Sequence, residues 1–541
     1  MKKIGSLVAA AMLVAAPAVA AAPVVDAPAG SVEGWNVGKV RVFKGIPFAQ
    51  PPVGPLRWKP PVALPAWEGV RKAQSFGAAC IQPRSSAVSI YANPPAKVSE
   101  DCLTLNIWAP EGVKDAPVIV WIHGGALTNG YSHEGMYDGA KLAARGAIVV
   151  SINYRLGALG YMAHPELSKE SPDGVSGNYG LLDQIAALEW VKANIGAFGG
   201  DAGNVTIAGE SAGALSVMYL MTAPKARGLF HKAIAQSAYM ISTPSLREAR
   251  HGEVPAETMG TKVTAALGAT DLAALRAMDA TALNDGALKA GYFPWGTIDG
   301  KVLPRQLVDS FDAGEQAPVP MIAGFNIGEI RSLRMLAPPA PANAAGYEAA
   351  IRERYGDLAD GWLKLYPAKE LNEAVIATTR DALYGWTSER LAIKQSALGQ
   401  NAYLYLFDHG YPATSEAGLH GFHAAEIPFV FGNATDTPPY WPKIPDTVAE
   451  KRFAAAMGDY WVSFAKTGKP EAAGQAVWKP YGSDAAFLAF ADVARAGARL
   501  MPGMYALHEA AMCRRRAAGN LAWNWNTGIL SPVLAKGADC P

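Results

Sequence analysis

Short runs of consecutive apolar residues recur along this chain and are separated by longer stretches of helical character. Val118 to Ile122 is an unbroken apolar run, and Ala147 to Asn153 is nearly so. Such runs predict strands covered on both faces. Val205 to Ala208, Ala233 to Gln236 and Val319 to Ala323 continue the series, and Tyr403 to Phe407 is the last clear strand. Val40 to Phe43 alternates as a strand. Between these runs, Ala214 to Met221 reads as an apolar helix, and residues 177–184 open a helix that continues through Trp190 to Ile195. Alternating strands and helices predict a mostly parallel, doubly wound sheet with helices on both faces. Residues 45–58 are too proline-rich for the interior of a regular element. Residues 242–296 read as helices and loops with little strand character.

Charge and the termini narrow the picture. A formal charge of +1 over 541 residues argues against a nucleic-acid partner, which would favour a strongly basic surface. Met1, Lys2 and Lys3 precede an apolar core from Ile4 to Ala16, and Ala18-Val19-Ala20 fits a small-residue cleavage site. Residues 1–22 therefore read as a secretory signal peptide, too short for a membrane span. No later stretch is apolar for long enough to cross a bilayer, so an exported protein is expected, periplasmic or extracellular. Four cysteines in such a protein suggest disulfides, with three possible pairings. Arg514, Arg515 and Arg516 read as a solvated helix end.

The candidate chemistry sits where strands end. The run Val205 to Ala208 enters Gly209-Glu210-Ser211-Ala212-Gly213, which fits G-x-S-x-G and leads into the apolar helix. Strand, tight turn and helix form the context in which such a serine is lifted clear of the sheet as a nucleophile. Val118 to Ile122 ends in His123-Gly124-Gly125-Ala126. Small residues there let backbone N–H groups converge on one point, as needed to stabilise a carbonyl oxygen that gains charge. His123 would lie on that oxyanion side of the serine and is read as structural.

The stretch Phe198 to Gly213 resembles the active-serine signature of the type-B carboxylesterases, the cholinesterase-like branch of the α/β-hydrolases. Matches continue from about residue 30 to about residue 480. The resemblance implies the α/β-hydrolase fold, in which a central, mostly parallel sheet carries large loop and helical insertions around an active-site gorge. It also implies that residues 23–541 form one catalytic domain. Ala323 to Glu329 is similar to the family's acid motif, with departures at Gly328 and Ile330, and puts the acid on Glu329. His420 to Gly432 is similar to its histidine loop, with Ala424 for a glycine, and puts the base on His423. The chain order Ser211, Glu329, His423 is the order expected of α/β-hydrolases. By the same resemblance the oxyanion donors are the amides of Gly125, Ala126 and Ala212. The resemblance further implies a Cys80–Cys102 bridge, which leaves Cys513 and Cys540 as the remaining pair, with free buried thiols as the alternative. Arg57 pairs with Glu100 and Arg155 with Asp183 as scaffold. The competing residues are Asp408 for the acid and His420 for the base. His420, His423 and Glu426 as a metal site is set aside, because no further ligand with suitable spacing appears.

The expected activity is hydrolysis of carboxylic esters through an acyl-enzyme on Ser211, with a small-molecule substrate and neither cofactor nor metal. An amidase or lactonase with the same triad, or a non-catalytic binding protein of this fold, are the alternatives. With one carboxylate partner, the imidazole should give an acid limb of kcat/KM at roughly pH 6–7.5. Loops at 83–99, 238–296, 330–348 and 433–446 are expected to shape the entrance, with Leu127, Phe293, Trp295 and Phe422 as lining candidates. The run His164 to Asp183 looks like bacterial members of the family, some of which act on bulky natural-product esters such as fumonisins.

Overall fold

The computed structural model describes residues 22–83, 89–523, 526–536 and 540. Except for Ala22, the expected signal peptide lies outside these residues. Eleven strands form the main sheet. In chain order they are β1 (Trp35–Val37), β2 (Val40–Pro47), β3 (Thr104–Pro110), β4 (Ala116–Ile122), β5 (Ile148–Ile152), β6 (Gly200–Glu210), β7 (Lys232–Gln236), β8 (Met321–Asn326), β9 (Ala402–Phe407), β10 (Ala486–Phe490) and β11 (Ala494–Ala498). Across the sheet the order is β1-β2-β3-β5-β4-β6-β7-β8-β9-β10-β11. Strands β5 to β10 in that spatial order run parallel, and both edges are antiparallel.

The unbroken apolar runs follow from this burial. Val118, Val120 and Ile122 of β4 enter the core on one face, and Ile119 and Trp121 enter the core on the other. Successive side chains of a strand point to opposite faces, so a strand covered twice must be apolar at every position. The first face is covered partly by α1 (Tyr179–Asn194) and α2 (Ala212–Thr222), whose Leu188 and Leu215 join its core. The second is covered by α3 (Val448–Thr467), which contributes Met457, Tyr460 and Trp461.

Three expectations change. Strand β8 begins at Met321, after Pro320, and runs on to Asn326, because it stays in register with β9 from Ala402 to Phe407. Tyr403 to Phe407 is not the last strand. Strands β10 and β11 follow it, one alternating buried with half-buried positions and the other mostly exposed, so neither has an unbroken apolar run. The arginine run does not end the helix Met504–Ala518 in solvent: Arg514 and Arg515 are buried. Arg514 pairs with Asp357 at 2.8 Å, Arg515 donates to Ser531 Oγ at 2.8 Å, and Arg516 pairs with Asp309 at 2.5 Å. These acceptors are remote in sequence or carry no charge, so the run gives no local sign of burial.

The scaffold pairs form as expected. Arg57 meets Glu100 through two 2.7 Å bonds, and Arg155 meets Asp183 likewise. Cys80 is bridged to Cys102 and Cys513 to Cys540. The first bridge closes a loop with a sequence separation of 22 residues. Replacing both its cysteines by serine should lower unfolding free energy by about 3 kcal/mol, from the loop entropy restored to the unfolded chain. Denaturant titration of that variant, with non-reducing peptide mapping of the parent, checks both stability and pairing. An unchanged midpoint, or Cys80 recovered with Cys513 or Cys540, would contradict it. Among the described residues no helix is long and apolar enough to cross a membrane.

Candidate active site

Ser211 follows β6 directly, with φ 55° and ψ −119°, a conformation that L-residues seldom occupy. Its N–H donates to the Gln236 carbonyl at the end of β7, and its own carbonyl accepts from Leu215 in the first turn of α2, both at 2.9 Å. The turn is as tight as the motif requires. A Cβ on Gly213 would lie 2.0 Å from the Ile122 carbonyl oxygen, and one on Gly209 would lie 2.5 Å from the Gly213 carbonyl carbon. The N-terminal end of α2 therefore begins at Ser211 and brings its positive dipole end there.

The loop after β4 lies against this turn. Ala126 and Leu127 both have positive φ, 55° and 57°, so the loop is held in a strained left-handed path. Gly124, Gly125 and Ala126 line the same cavity as Ser211. Among the described residues the N–H groups of Gly125, Ala126 and Ala212 bond no other group. Donors left without a protein partner beside a serine can take a developing oxyanion.

His423 and Glu329 meet from different segments. His423 Nδ1 donates to Glu329 Oε2, while Glu329 Oε1 accepts from the Asn326 N–H at 2.8 Å. Both carboxylate oxygens are thus used, and the imidazole tautomer is set with Nε2 facing away from Glu329. The backbone of the histidine loop is pinned as well: Tyr91 donates to the His423 carbonyl at 2.9 Å, and the His423 N–H donates to Ser332 Oγ at 3.3 Å. Asp408 is exposed at the end of β9, near His420, Arg380 and Asp492. His420 is exposed. His123 is buried, stacked 4.5 Å from Tyr154, with Nδ1 2.9 Å from its neighbour's carbonyl. Burial pulls its pKa down to about 4, which fits a structural neutral imidazole.

Glu210 is not singled out by sequence reasoning because it occupies an unspecified position of the motif. Its Oε1 lies 3.1 Å from His423 Nε2, without the alignment of a hydrogen bond. Its only advance signal is a charged residue at the buried end of a strand. Burial raises the Glu210 carboxyl to about 8, against the attraction of His423 and together with repulsion from Glu426, Glu329 and Glu134. Glu426 is buried and accepts from Gln236 at 2.9 Å and from Asn326 at 2.6 Å. Burial opposes the imidazolium of His423, but Glu210, Glu329 and Glu426 outweigh it and raise the pKa to about 9. The expected limb counted one carboxylate, whereas three act on the ring and favour its charged form.

Ser211 and His423 open into one cavity of about 450 Å³. All four loop regions expected at the entrance contribute to it, through Tyr91, Tyr239, Trp295, Leu333, Met335 and Pro438. Of the expected lining residues, Phe293 and Trp295 line it. Leu127 and Phe422 do not: both are fully buried, Phe422 against Trp441 at 4.7 Å. Apolar residues beside motif positions look alike in sequence whether they face a cavity or the core.

A strained serine between a parallel strand and a helix, with a hydrogen-bonded acid and histidine from the segments that follow β8 and β9, defines an α/β-hydrolase. A carboxylesterase family model matches residues 21–499. A fumonisin B1 esterase of Sphingopyxis macrogoltabida is 37% identical over 501 residues, covering 87% of either chain. A para-nitrobenzyl esterase of Bacillus subtilis is 36% identical over 450 residues, covering 82% of this chain and 89% of that one. Among solved structures, a thermophilic PNB esterase matches with a TM-score of 0.77 at 32% identity, covering 90% of this chain and 100% of that one. A carboxylesterase of Geobacillus stearothermophilus matches with a TM-score of 0.72 at 31% identity, covering 90% and 99%. The chain belongs to the carboxylesterase family, and it is a carboxylic ester hydrolase.

Proposed function

We propose that Ser211 is the nucleophile, His423 its general base and Glu329 the acid that orients the base. The amides of Gly125, Ala126 and Ala212 form the oxyanion hole. The observation that carries this reading is the His423–Glu329 hydrogen bond beside a cavity lined by Ser211 and His423. Ser211 Oγ attacks the ester carbonyl as His423 takes its proton. The oxyanion is held by the three amides, and collapse expels the alcohol with a proton from His423. Water, activated by the same imidazole, then releases the acid from the acyl-enzyme. The cavity volume and its aromatic lining favour bulky, largely apolar esters. A panel varying acyl and alcohol size, scored by kcat/KM against matched amides and lactones, tests it. Amides or lactones turned over as well as the esters would overturn the ester preference.

The chain is further inferred to be exported after removal of residues 1–22, leaving 23–541 as one catalytic domain. Two disulfides are compatible with an oxidising compartment. N-terminal sequencing of the protein recovered from periplasm and medium checks this.

The pH profile follows from the proposed role of His423. The base must be neutral, so kcat/KM rises with pH as the imidazolium loses its proton. With the pKa raised to about 9, activity should still be climbing above pH 7.5. Glu210→Gln removes one of the carboxylates that stabilise the imidazolium and should move the limb to lower pH by about one unit. The measurement is kcat/KM from pH 5 to 10 on one small ester, and a shift to higher pH would contradict the assignment.

A further inference from the structure

We propose that Tyr91 and Ser332 are positioning residues for catalysis, closing with the His423 main chain a ring of three hydrogen bonds that holds the base against its acid. This rests on the reading of His423 as the general base. Among the described residues, neither the N–H nor the carbonyl of His423 bonds a backbone group. Two hydroxyls serve them instead. The His423 N–H donates to Ser332 Oγ at 3.3 Å, and Tyr91 donates its one hydroxyl hydrogen to the His423 carbonyl at 2.9 Å. The two hydroxyl oxygens lie 2.7 Å apart. With the Tyr91 hydrogen already given, that contact is completed by the Ser332 hydroxyl donating to Tyr91 Oη. The Glu329 carbonyl, 3.3 Å from Ser332 Oγ, is the longer alternative for the same hydrogen. Each of the three residues then donates once and accepts once, so removing either hydroxyl opens the ring.

The loop needs such support. His420 and Ala424, on either side of His423, have positive φ of 53° and 67°. Residues other than glycine keep such conformations only where surrounding contacts enforce them. Ser332 ends the helical turn that Glu329 begins. A bond from His423 to Ser332 therefore fixes the main chains of base and acid relative to each other, in addition to the bond between their side chains. Tyr91 comes from a third segment, closed by the Cys80–Cys102 bridge. Its ring stands edge-on to the His423 ring at 6.4 Å and to Trp441 at 5.9 Å. Burial raises the Tyr91 phenol well above its ordinary range; the bond to Ser332 opposes this, and Glu210, Glu329 and Glu426 add to it. The hydroxyl thus keeps its hydrogen wherever the enzyme is assayed. Tyr91 lines the Ser211 cavity and Ser332 does not, so an effect of Ser332 on turnover cannot come from touching the substrate.

The test compares Tyr91→Phe, Ser332→Ala, the double variant and Ser332→Thr with the parent on one small ester. It reads kcat and KM per active site, counted by phosphonate titration so that unfolded molecules drop out, and the pH profile of kcat/KM. Tyr91→Phe keeps the aromatic ring, and Ser332→Ala removes one oxygen. Each should lower kcat by about tenfold, the equivalent of one hydrogen bond, and Ser332→Ala should leave KM little changed. The double variant should be no worse than either, because the ring can be opened only once. Ser332→Thr keeps the hydroxyl and should recover most of the loss. A base held less firmly against Glu329 gains less from the carboxylates of Glu329, Glu210 and Glu426, so the acid limb should move to lower pH in both single variants. Parental kcat and limb in both single variants, a kcat loss with the limb unmoved, or losses that multiply in the double variant would overturn the proposal and leave His423 as the base. His423→Ala with the parent's kcat would remove the reading of the base, and this proposal with it.

Discussion

Ser211→Ala is expected to lower kcat by about 10⁶, leaving only the residual rate that binding and the oxyanion amides supply. The size of the loss comes from the way the proposed parts act as a unit. Without Oγ there is nothing for His423 to deprotonate and no acyl-enzyme to form, so the remaining groups can only assist water. The substitution removes one oxygen from a side chain whose conformation is set by its backbone: the bonds from Ser211 N–H to Gln236 and from Leu215 to the Ser211 carbonyl persist. Folding should therefore be unaffected, which circular dichroism checks. A phosphonate probe should label Ser211 stoichiometrically in the parent and fail to label the variant. Labelling elsewhere, with esterase activity retained in the alanine variant, would refute the nucleophile.

Glu329→Gln should lower kcat by about 10⁴, the size of the analogous charge removal in a serine protease triad. The amide keeps the volume but cannot accept from His423 Nδ1 and from the Asn326 N–H with both of its polar ends. One of those donors must lose its bond, the imidazole can then take the wrong tautomer, and the imidazolium formed during attack loses its hydrogen-bonded counter-charge. Glu210 and Glu426 still favour the imidazolium electrostatically, but neither holds the ring by Nδ1. Glu329→Asp should do less harm, although its carboxylate falls one methylene short. Asp408→Asn is the control, because Asp408 is exposed, near His420, Arg380 and Asp492. It should leave activity within about tenfold of the parent, as a surface substitution away from the reacting atoms. Measuring all three on one small ester decides between the carboxylates: a dead Asp408 variant with an active Glu329→Gln would reassign the acid.

How much of this was legible depends on whether a constraint is local. The strand–turn–helix around Ser211 could be read directly, because the glycines at 209 and 213 are required by contacts within a few residues of the serine or at the end of the adjacent strand. Strands β4, β5 and β9 could be read because burial on both faces demands an apolar residue at every position. The edge strand β11 and its neighbour β10 lack that demand and left no such run. Arg514 and Arg515 were misread for a related reason: a buried arginine is identified by its acceptors, and Asp357 is 157 residues away.

Glu329 and His423 were singled out only through resemblance to the family's motifs, whereas the sequence alone determined the alternation of strand and helix, the serine's turn and the glycine loop after β4. Each follows from backbone sterics or from burial of neighbouring positions. Only the tertiary structure decided which carboxylates act on the imidazole, and which aromatic residues face a cavity and which face the core. Electrostatic fields and cavity walls are sums over groups far apart in the chain, and residue spacing carries no record of them.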